Sequence, residues 1–357
     1  MTVRHAQCSV VFALTSDGND NYAAMTRLAA RTVRLSNPDV RITVACDSRT
    51  SSIMTSASYP LVGEVDQWFP IETPEGSQGY RSRFVKTILP SQIERPFLFL
   101  DSDVFVRDRI EELFALDCDV AAAPNHSRDR HLEQIWIQDH ETLERMGWIA
   151  LPTVYLNSGV ILYQDTTRAL EFAKAWHRNW LGSVGHEAYY RDQPAFNAAL
   201  YGAEPRLHVL PHRFNAQIAP SPEVAPEAAI WHYYSSTGQI SLALFDPLIK
   251  EIMASGNIDA EKIRRLVDAR HPWISDGLLD TWNQMASLRD DNSRLRDDNS
   301  RLRNDNSRLR NELDALWTDQ QRILSSRSWR ITGPLRMIDK ALKGWFEKDD
   351  SHKQTKA

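Results

Sequence analysis

Two carboxylates separated by one residue, Asp101-Ser102-Asp103, end an uninterrupted apolar run from Phe97 to Leu100. The run reads as a buried strand, and alternate side chains of an extended chain point to the same side. Asp101 and Asp103 can therefore approach one divalent cation together, directly or through a water, with the hard oxygen donors such cations take. A cation held there could bridge a diphosphate and neutralise the charge that builds on it. An Asp-x-Asp tripeptide is common in solvated acidic turns, so its weight comes from its setting. Upstream, Arg83 and Lys86 lie three apart on a predicted helix and share a face. Ala13-Leu14-Thr15 closes the first predicted strand and Asp47 follows the second; strand ends are where open α/β sheets receive nucleotides.

These groups need a scaffold, and the first two thirds of the chain spells one out. Apolar, β-branched runs at Cys8–Leu14, Ile42–Cys46, Phe97–Leu100, Val120–Ala123, Tyr155–Tyr163 and Leu207–Leu210 predict strands. Helical spacing occupies Tyr22–Leu35, Tyr80–Lys86, Thr166–Trp180 and Gln193–Tyr201, with a Pro-rich loop over Ser221–Pro226. That alternation predicts an α/β fold with a mostly parallel sheet, and it stops near Lys250.

Composition narrows the function. A chain of 357 residues with 42% hydrophobic residues can bury a sizeable core, and a net charge of −5 argues against nucleic-acid binding. Cys8, Cys46 and Cys118 are far apart without paired spacing, which argues against a disulfide framework or a zinc site and fits a reducing cytoplasm. No apolar run approaches the roughly 20 residues that span a bilayer, so any membrane contact is expected to be peripheral.

Five blocks, FLFLDSDVFV, YLNSGVILY, RDQPAFNAAL, LPHRFNAQ and IWHYYSSTG, together resemble the retaining glycosyltransferases of family 8 and their GT-A-fold relatives. The resemblance implies a Rossmann-like nucleotide-diphospho-sugar transferase domain, a nucleotide-sugar donor (UDP-linked), Mn²⁺ or Mg²⁺, and a glycan acceptor. It places the metal on Asp101, Asp103 and His232, with Ser102 between the first two. His232 opens His-Tyr-Tyr-Ser-Ser-Thr-Gly where the family has His-x-x-Gly. Asn157, Ser158 and Gly159 would lie beside the donor sugar, Asp192 would hold sugar hydroxyls, and Gln193 would lie near the reacting face of the anomeric carbon. Ala13, Leu14, Thr15 and Asp47 would take the base and ribose, while Arg83 and Lys86 match the basic residues that reach the donor. Retention at the anomeric carbon also follows from the resemblance. The rival class is a non-catalytic dimeric scaffold or sugar-binding module that keeps the fold. A sugar nucleotidyltransferase would want a Gly-rich, basic phosphate loop after the first strand, which Thr15-Ser-Asp-Gly-Asn-Asp does not supply.

The last third changes character. From about Ser287 to Leu313 a seven-residue repeat, SRLRDDN, recurs. Leu288, Leu295, Leu302, Leu309, Leu316 and Ile323 fall at position d, and Met285, Asn292, Asn299, Asn306, Leu313 and Gln320 at position a. Position g holds Asp291, Asp298 and Asp305, and the following e positions hold Arg296, Arg303 and Arg310. A parallel, in-register pair joins opposite charges; an antiparallel pair opposes like ones. The expectation is a parallel homodimer, with a trimer left open. Beyond it, Leu335, Ile338, Leu342, Trp345 and Phe346 share a helical face, with Arg336, Lys340 and Lys343 elsewhere. Such a basic amphipathic helix, over 327–346, could lie on an anionic membrane or pack on protein. Ser328 to Arg336 also resembles tails that follow coiled coils in bacterial surface-polysaccharide glycosyltransferases. That resemblance implies a lipid-linked acceptor in lipopolysaccharide O-antigen or capsule synthesis, at the cytoplasmic face of the inner membrane. The expected organisation is a GT-A domain over 1–250, a helical connector over 251–284, a coiled coil over 285–325 and a basic tail over 326–357.

Overall fold

The computed structural model describes residues 8–18, 20–56, 63–125, 135, 137–148, 154–184, 191–218, 224–233, 245–257, 259–269, 276–340 and 342. The chain divides into two compact units, Met1–Gln284 and Met285–Ala357.

The first unit opens with β1 (Ser9–Leu14), α1 (Asn21–Ser36), β2 (Arg41–Asp47), α2 (Ser48–Ser56), β3 (Gln67–Ile71) and α3 (Gln78–Ile88). There follow β4 (Phe97–Leu100), β5 (Val104–Val106), β6 (Val120–Pro124), α4 (Ile137–Met146), β7 (Leu156–Tyr163), α5 (Thr167–Val184) and α6 (Gln193–Ala203). The unit closes with β8 (Leu207–Val209), β9 (Ala216–Gln217), β10 (Ile230–His232), α7 (Phe245–Ser255) and α8 (Ala260–Asp268). The predicted strands and helices all form, with ends shifted by a few residues. Short β3, β5, β9 and β10 carry too few residues for a period to register.

Seven strands form one sheet in the order β3-β2-β1-β4-β7-β6-β8. Neighbours pair in parallel except at β7, which runs antiparallel to both β4 and β6. The sheet is thus mixed and mostly parallel, as a GT-A domain requires. β4 and β7 are buried at every residue because helices cover both faces, so they read as continuous apolar runs instead of alternating ones. On one face α1 packs through Ala23, Ala29, Ala30 and Val33; on the other, α3, α5 and α6 pack through Phe84, Phe172, Trp176 and Phe196. After β3 the chain returns to the far side of β1 to lay down β4, so the carboxyl ends of β1 and β4 flank a topological switch point, where such sheets bind ligands.

A second sheet, β5-β10-β9, joins residues far apart in sequence. It carries its own apolar cluster of Phe105, Trp231 and Phe245 with Leu248, Ile252, Ile263 and Leu266 from α7 and α8. The expected boundary after 250 therefore falls inside α7, whose apolar face is core. Arg107 fastens this corner. Its guanidinium stacks 3.9 Å from the Trp231 ring and donates to the carbonyls of Ala225, Ala228, Val267 and Ala269.

The repeat forms one continuous helix, α9 (Asp276–Ser325), followed by α10 (Arg327–Ile331), which Ser326 caps by accepting from Trp329 N. In the single chain the d-position leucines 288, 295, 302, 309 and 316 are 58–69% exposed, an apolar stripe left to solvent. Asp291 pairs with Arg294 and Asp305 with Arg308 along the helix, while Arg296, Arg303 and Arg310 have no ion pair among the described residues. Leu335, Ile338 and Leu342 are likewise exposed; Lys343, Trp345 and Phe346 lie outside the described residues. Among the described residues no helix is long and apolar enough to cross a membrane.

Candidate active site

The acidic pair leaves the sheet where β4 ends. Asp101 N–H donates to Gly159 O at 2.8 Å, an extension of the β4–β7 ladder in which Leu100 faces Val160. Asp103 precedes β5, whose Val104 pairs with His232 of β10, and Tyr233 N–H donates to Asp103 O at 3.0 Å. Strand pairing thus delivers His232 to the acidic pair. Donor atoms of Asp101, Asp103 and His232 lie within 4.8 Å of one another, two oxygens and one imidazole nitrogen. That spread and mixture suit a single Mn²⁺ or Mg²⁺ with its remaining positions open.

Packing around the trio is tight. A Cβ on Gly159 would lie 2.4 Å from His232 Cε1, 2.9 Å from Asn157 Oδ1 and 2.9 Å from Asp101 Oδ2. Only glycine lets the strand approach this closely.

Lys86, 2% exposed, is the electrostatic hub. Its Nζ lies 2.9 Å from Asp101 Oδ1 and 3.0 Å from Asp192 Oδ2. A buried ammonium is tolerable only with such partners. Asp192 stands at the start of α6 without capping it, because its carboxylate turns to Lys86, to Arg83 Nε at 3.1 Å and to the Ser158 hydroxyl at 2.8 Å. Burial penalises its charge, but Lys86 and Arg83 outweigh that and hold its carboxyl below the ordinary range. Arg83 keeps 41% of its side chain exposed, so it can serve a ligand as well as Asp192. Burial likewise disfavours charge on Asp103, yet His232, with Nε2 at 3.2 Å, holds it down to about 2. In His232, burial pulls the other way from Asp103, and Asp103 prevails, raising the imidazole. Each favours the charged form of the other, and a cation bound at the same two atoms would compete with the imidazole proton.

A chain of amides backs this cluster. Gly159 N–H donates to Asn157 Oδ1 at 2.9 Å, so Asn157 Nδ2 faces Asn125 Oδ1 at 3.1 Å and Gln193 Oε1 at 3.2 Å. Ser158 N–H also donates to Gln193 Oε1 at 3.2 Å, turning its Nε2 toward Asp139 Oδ2 at 3.4 Å. Asn215 donates through Nδ2 to Asn157 Oδ1 and meets His232 Nδ1 through Oδ1, each at 2.9 Å. Asn197 mimics a strand partner, accepting from Leu156 N and donating to Leu156 O, which pins α6 to β7.

The structure therefore gathers Asp101, Asp103, His232, Arg83, Lys86, Asn157, Ser158, Gly159, Asp192 and Gln193. Ser102 accepts from the Thr26 hydroxyl at 3.1 Å beside them. The four residues predicted for base and ribose sit at the ends of β1 and β2 and are engaged otherwise. Leu14 is core and Ala13 half-buried; Thr15 exchanges hydrogen bonds with Gln78. Asp47 accepts from Thr50 N at 2.7 Å and pairs with Arg81 at 2.9 Å. Asn125, Asp139, Arg191 and Asn215 were not anticipated. Asp139 is fully buried, bonded by Arg191 at 2.7 Å and by the Tyr155 hydroxyl at 3.1 Å. Lone polar residues of this kind show no period or spacing; the adjacency of Arg191 to Asp192-Gln193 and the place of Asn215 within LPHRFNAQ offered the signals there were.

A mostly parallel sheet interrupted by one antiparallel strand, with an Asp-x-Asp pair where β4 leaves it, is the GT-A architecture of nucleotide-sugar-dependent glycosyltransferases. Residues 79–237 match the family described as glycosyl transferase family 8. Among solved structures, the galactosyltransferase LgtC in complex with donor and acceptor sugar analogues is similar at 20% identity with a TM-score of 0.45, over 71% of this chain and 98% of that one. GlyE of Streptococcus pneumoniae TIGR4, in its apo form, is similar at 19% identity and a TM-score of 0.45, over 72% of this chain and 62% of that one. The apo bifunctional glycosyltransferase WbbM is similar at 16% identity and a TM-score of 0.46, over 66% of this chain and 47% of that one. No curated protein matches the chain.

Proposed function

We propose that this glycosyltransferase is metal-dependent, takes a UDP-linked donor, and transfers its sugar with retention to a lipid-linked glycan acceptor in bacterial surface-polysaccharide synthesis. The observation that supports it most is the convergence of Asp101, Asp103 and His232 within 4.8 Å beside Lys86, Asp192 and Gln193. A divalent cation bound by the trio would neutralise charge on the departing diphosphate. Arg83 and Lys86 add fixed positive charge, Asp192 and Asn157 orient sugar hydroxyls, and Gln193 lies toward the anomeric carbon. Catalysis then comes from electrostatics and orientation, with no dedicated base among these residues, so a leaving-group oxygen takes the acceptor proton on the same face. Ala13, Leu14, Thr15 and Asp47 border the base and ribose; since their side chains are largely committed, backbone atoms supply the contact.

The repeat of 285–325 pairs two chains in parallel, and the tail over 327–346 lies on the cytoplasmic face of the inner membrane. At about 1.5 Å per residue the coil itself spans on the order of 60 Å.

The test is thermal unfolding of the full chain with a panel of nucleotide sugars, with and without Mn²⁺. One donor at a hundredfold its Kd should add about 2.7 kcal/mol of stability, only with Mn²⁺ and not in Asp101→Ala/Asp103→Ala. A folded protein that responds to no donor would overturn this reading in favour of a scaffold.

A further inference from the structure

The orientation of the Asn215 amide is dictated by a backbone group two links away. Gly159 N–H can only donate, so the Asn157 atom it meets at 2.9 Å is Oδ1. The Asn215 atom 2.9 Å from that oxygen must then be Nδ2. Its other end, Oδ1, can only accept, and it lies 2.9 Å from His232 Nδ1. Nδ1 therefore carries a proton, and Nε2 is the atom left facing Asp103. Asn215 is fully buried, so no water substitutes for this partner cheaply. Asn157 also donates to Gln193 Oε1, so the same amide chain that fixes His232 fixes the residue nearest the predicted reacting centre.

We propose that Asn215 is a positioning residue. It sets the tautomer and ring orientation of His232 so that Nε2 is ready to bind a divalent cation, and through Asn157 it links that nitrogen to Gln193. The inference rests on the metal-binding reading above. It needs no carboxylate behind the histidine: a neutral amide suffices because a main-chain N–H, relayed through Asn157, removes the amide's freedom to flip.

The probe is Mn²⁺ alone, its uptake by the full chain followed as loss of the free-ion electron paramagnetic resonance signal. Four proteins form a cycle: wild type, Asn215→Ala, His232→Ala and the double variant, each checked for folding by thermal unfolding in EDTA. Asn215→Ala should weaken Mn²⁺ binding roughly 10–100-fold. In the His232→Ala background the same substitution should cost nothing further, because its effect runs through the imidazole. Asn215→Leu keeps the volume, removes the acceptor and should behave as Asn215→Ala does, should the alanine variant fold poorly. Wild-type uptake with no loss in either Asn215 variant, or an equal loss in both backgrounds, overturns the proposal alone. A folded wild type that takes up no Mn²⁺ overturns the metal reading, and this proposal with it.

Discussion

Gly159 is where the sheet and the chemistry touch, since its missing side chain is the space that His232, Asn157 and Asp101 fill. Gly159→Ala should cost about 1–3 kcal/mol by overpacking, and Mn²⁺-dependent stabilisation by the donor should vanish. A variant that keeps that donor response, read by thermal unfolding, would mean the trio can relax around a methyl group. The Asp101 and Asp103 spacing and the Asp192-Gln193 pair were legible as chemistry. Asn215, Asn125 and Asp139 were not, because a buried amide or acid acquires its role from the partner opposite it, and that partner is remote in sequence.

At the scale of elements, α3 carries Arg83 and Lys86 to the site, and its packing against α5 holds them there. His177 of α5 sits in that seam, hydrogen-bonded with Thr87 at 2.9 Å and edge-on to Phe84 at 5.0 Å between centroids. Burial pushes its imidazole down to about 4 from an ordinary 6.5. The sign follows directly. Above 6.5 both folded and unfolded states are neutral here; as pH falls from 6.5 toward about 4 the unfolded chain binds the proton first, so stability drops. His177→Phe should therefore lose less stability than wild type across that window, measured as denaturant midpoints. Equal losses would assign the acid sensitivity elsewhere. The helices here were readable from period, whereas the short β9 and β10 form because Trp231 and His232 pair with Ala216 and Gln217, and β10 also with β5, all remote in sequence.

For the whole molecule, the exposed leucine stripe and Arg296, Arg303 and Arg310, which have no ion pair among the described residues, fit the proposed second copy, whose g-position aspartates would supply the complement. Wild type should sediment as a dimer, and Leu295→Glu/Leu302→Glu/Leu309→Glu as a single chain of about the 40.9 kDa of the unmutated sequence. With anionic vesicles present, the wild type should co-sediment and the variant should do so more weakly, because paired tails bind as a bivalent unit. An unchanged mass would remove the coil from assembly; unchanged vesicle binding would remove the benefit of pairing.

By itself the sequence determined the repeats and the runs: a charged heptad helix, buried strands and an acidic pair at a strand end. All of these arise from neighbours within a few residues, where periodicity and backbone geometry act. Only the tertiary structure decided which carboxylate meets which cation: Lys86 between Asp101 and Asp192, His232 against Asp103, Asp47 diverted to Arg81. Those choices depend on strand order and on antiparallel pairing at β7 and β10, and on the cost of leaving any buried charge or amide without a partner, which no local stretch of chain encodes.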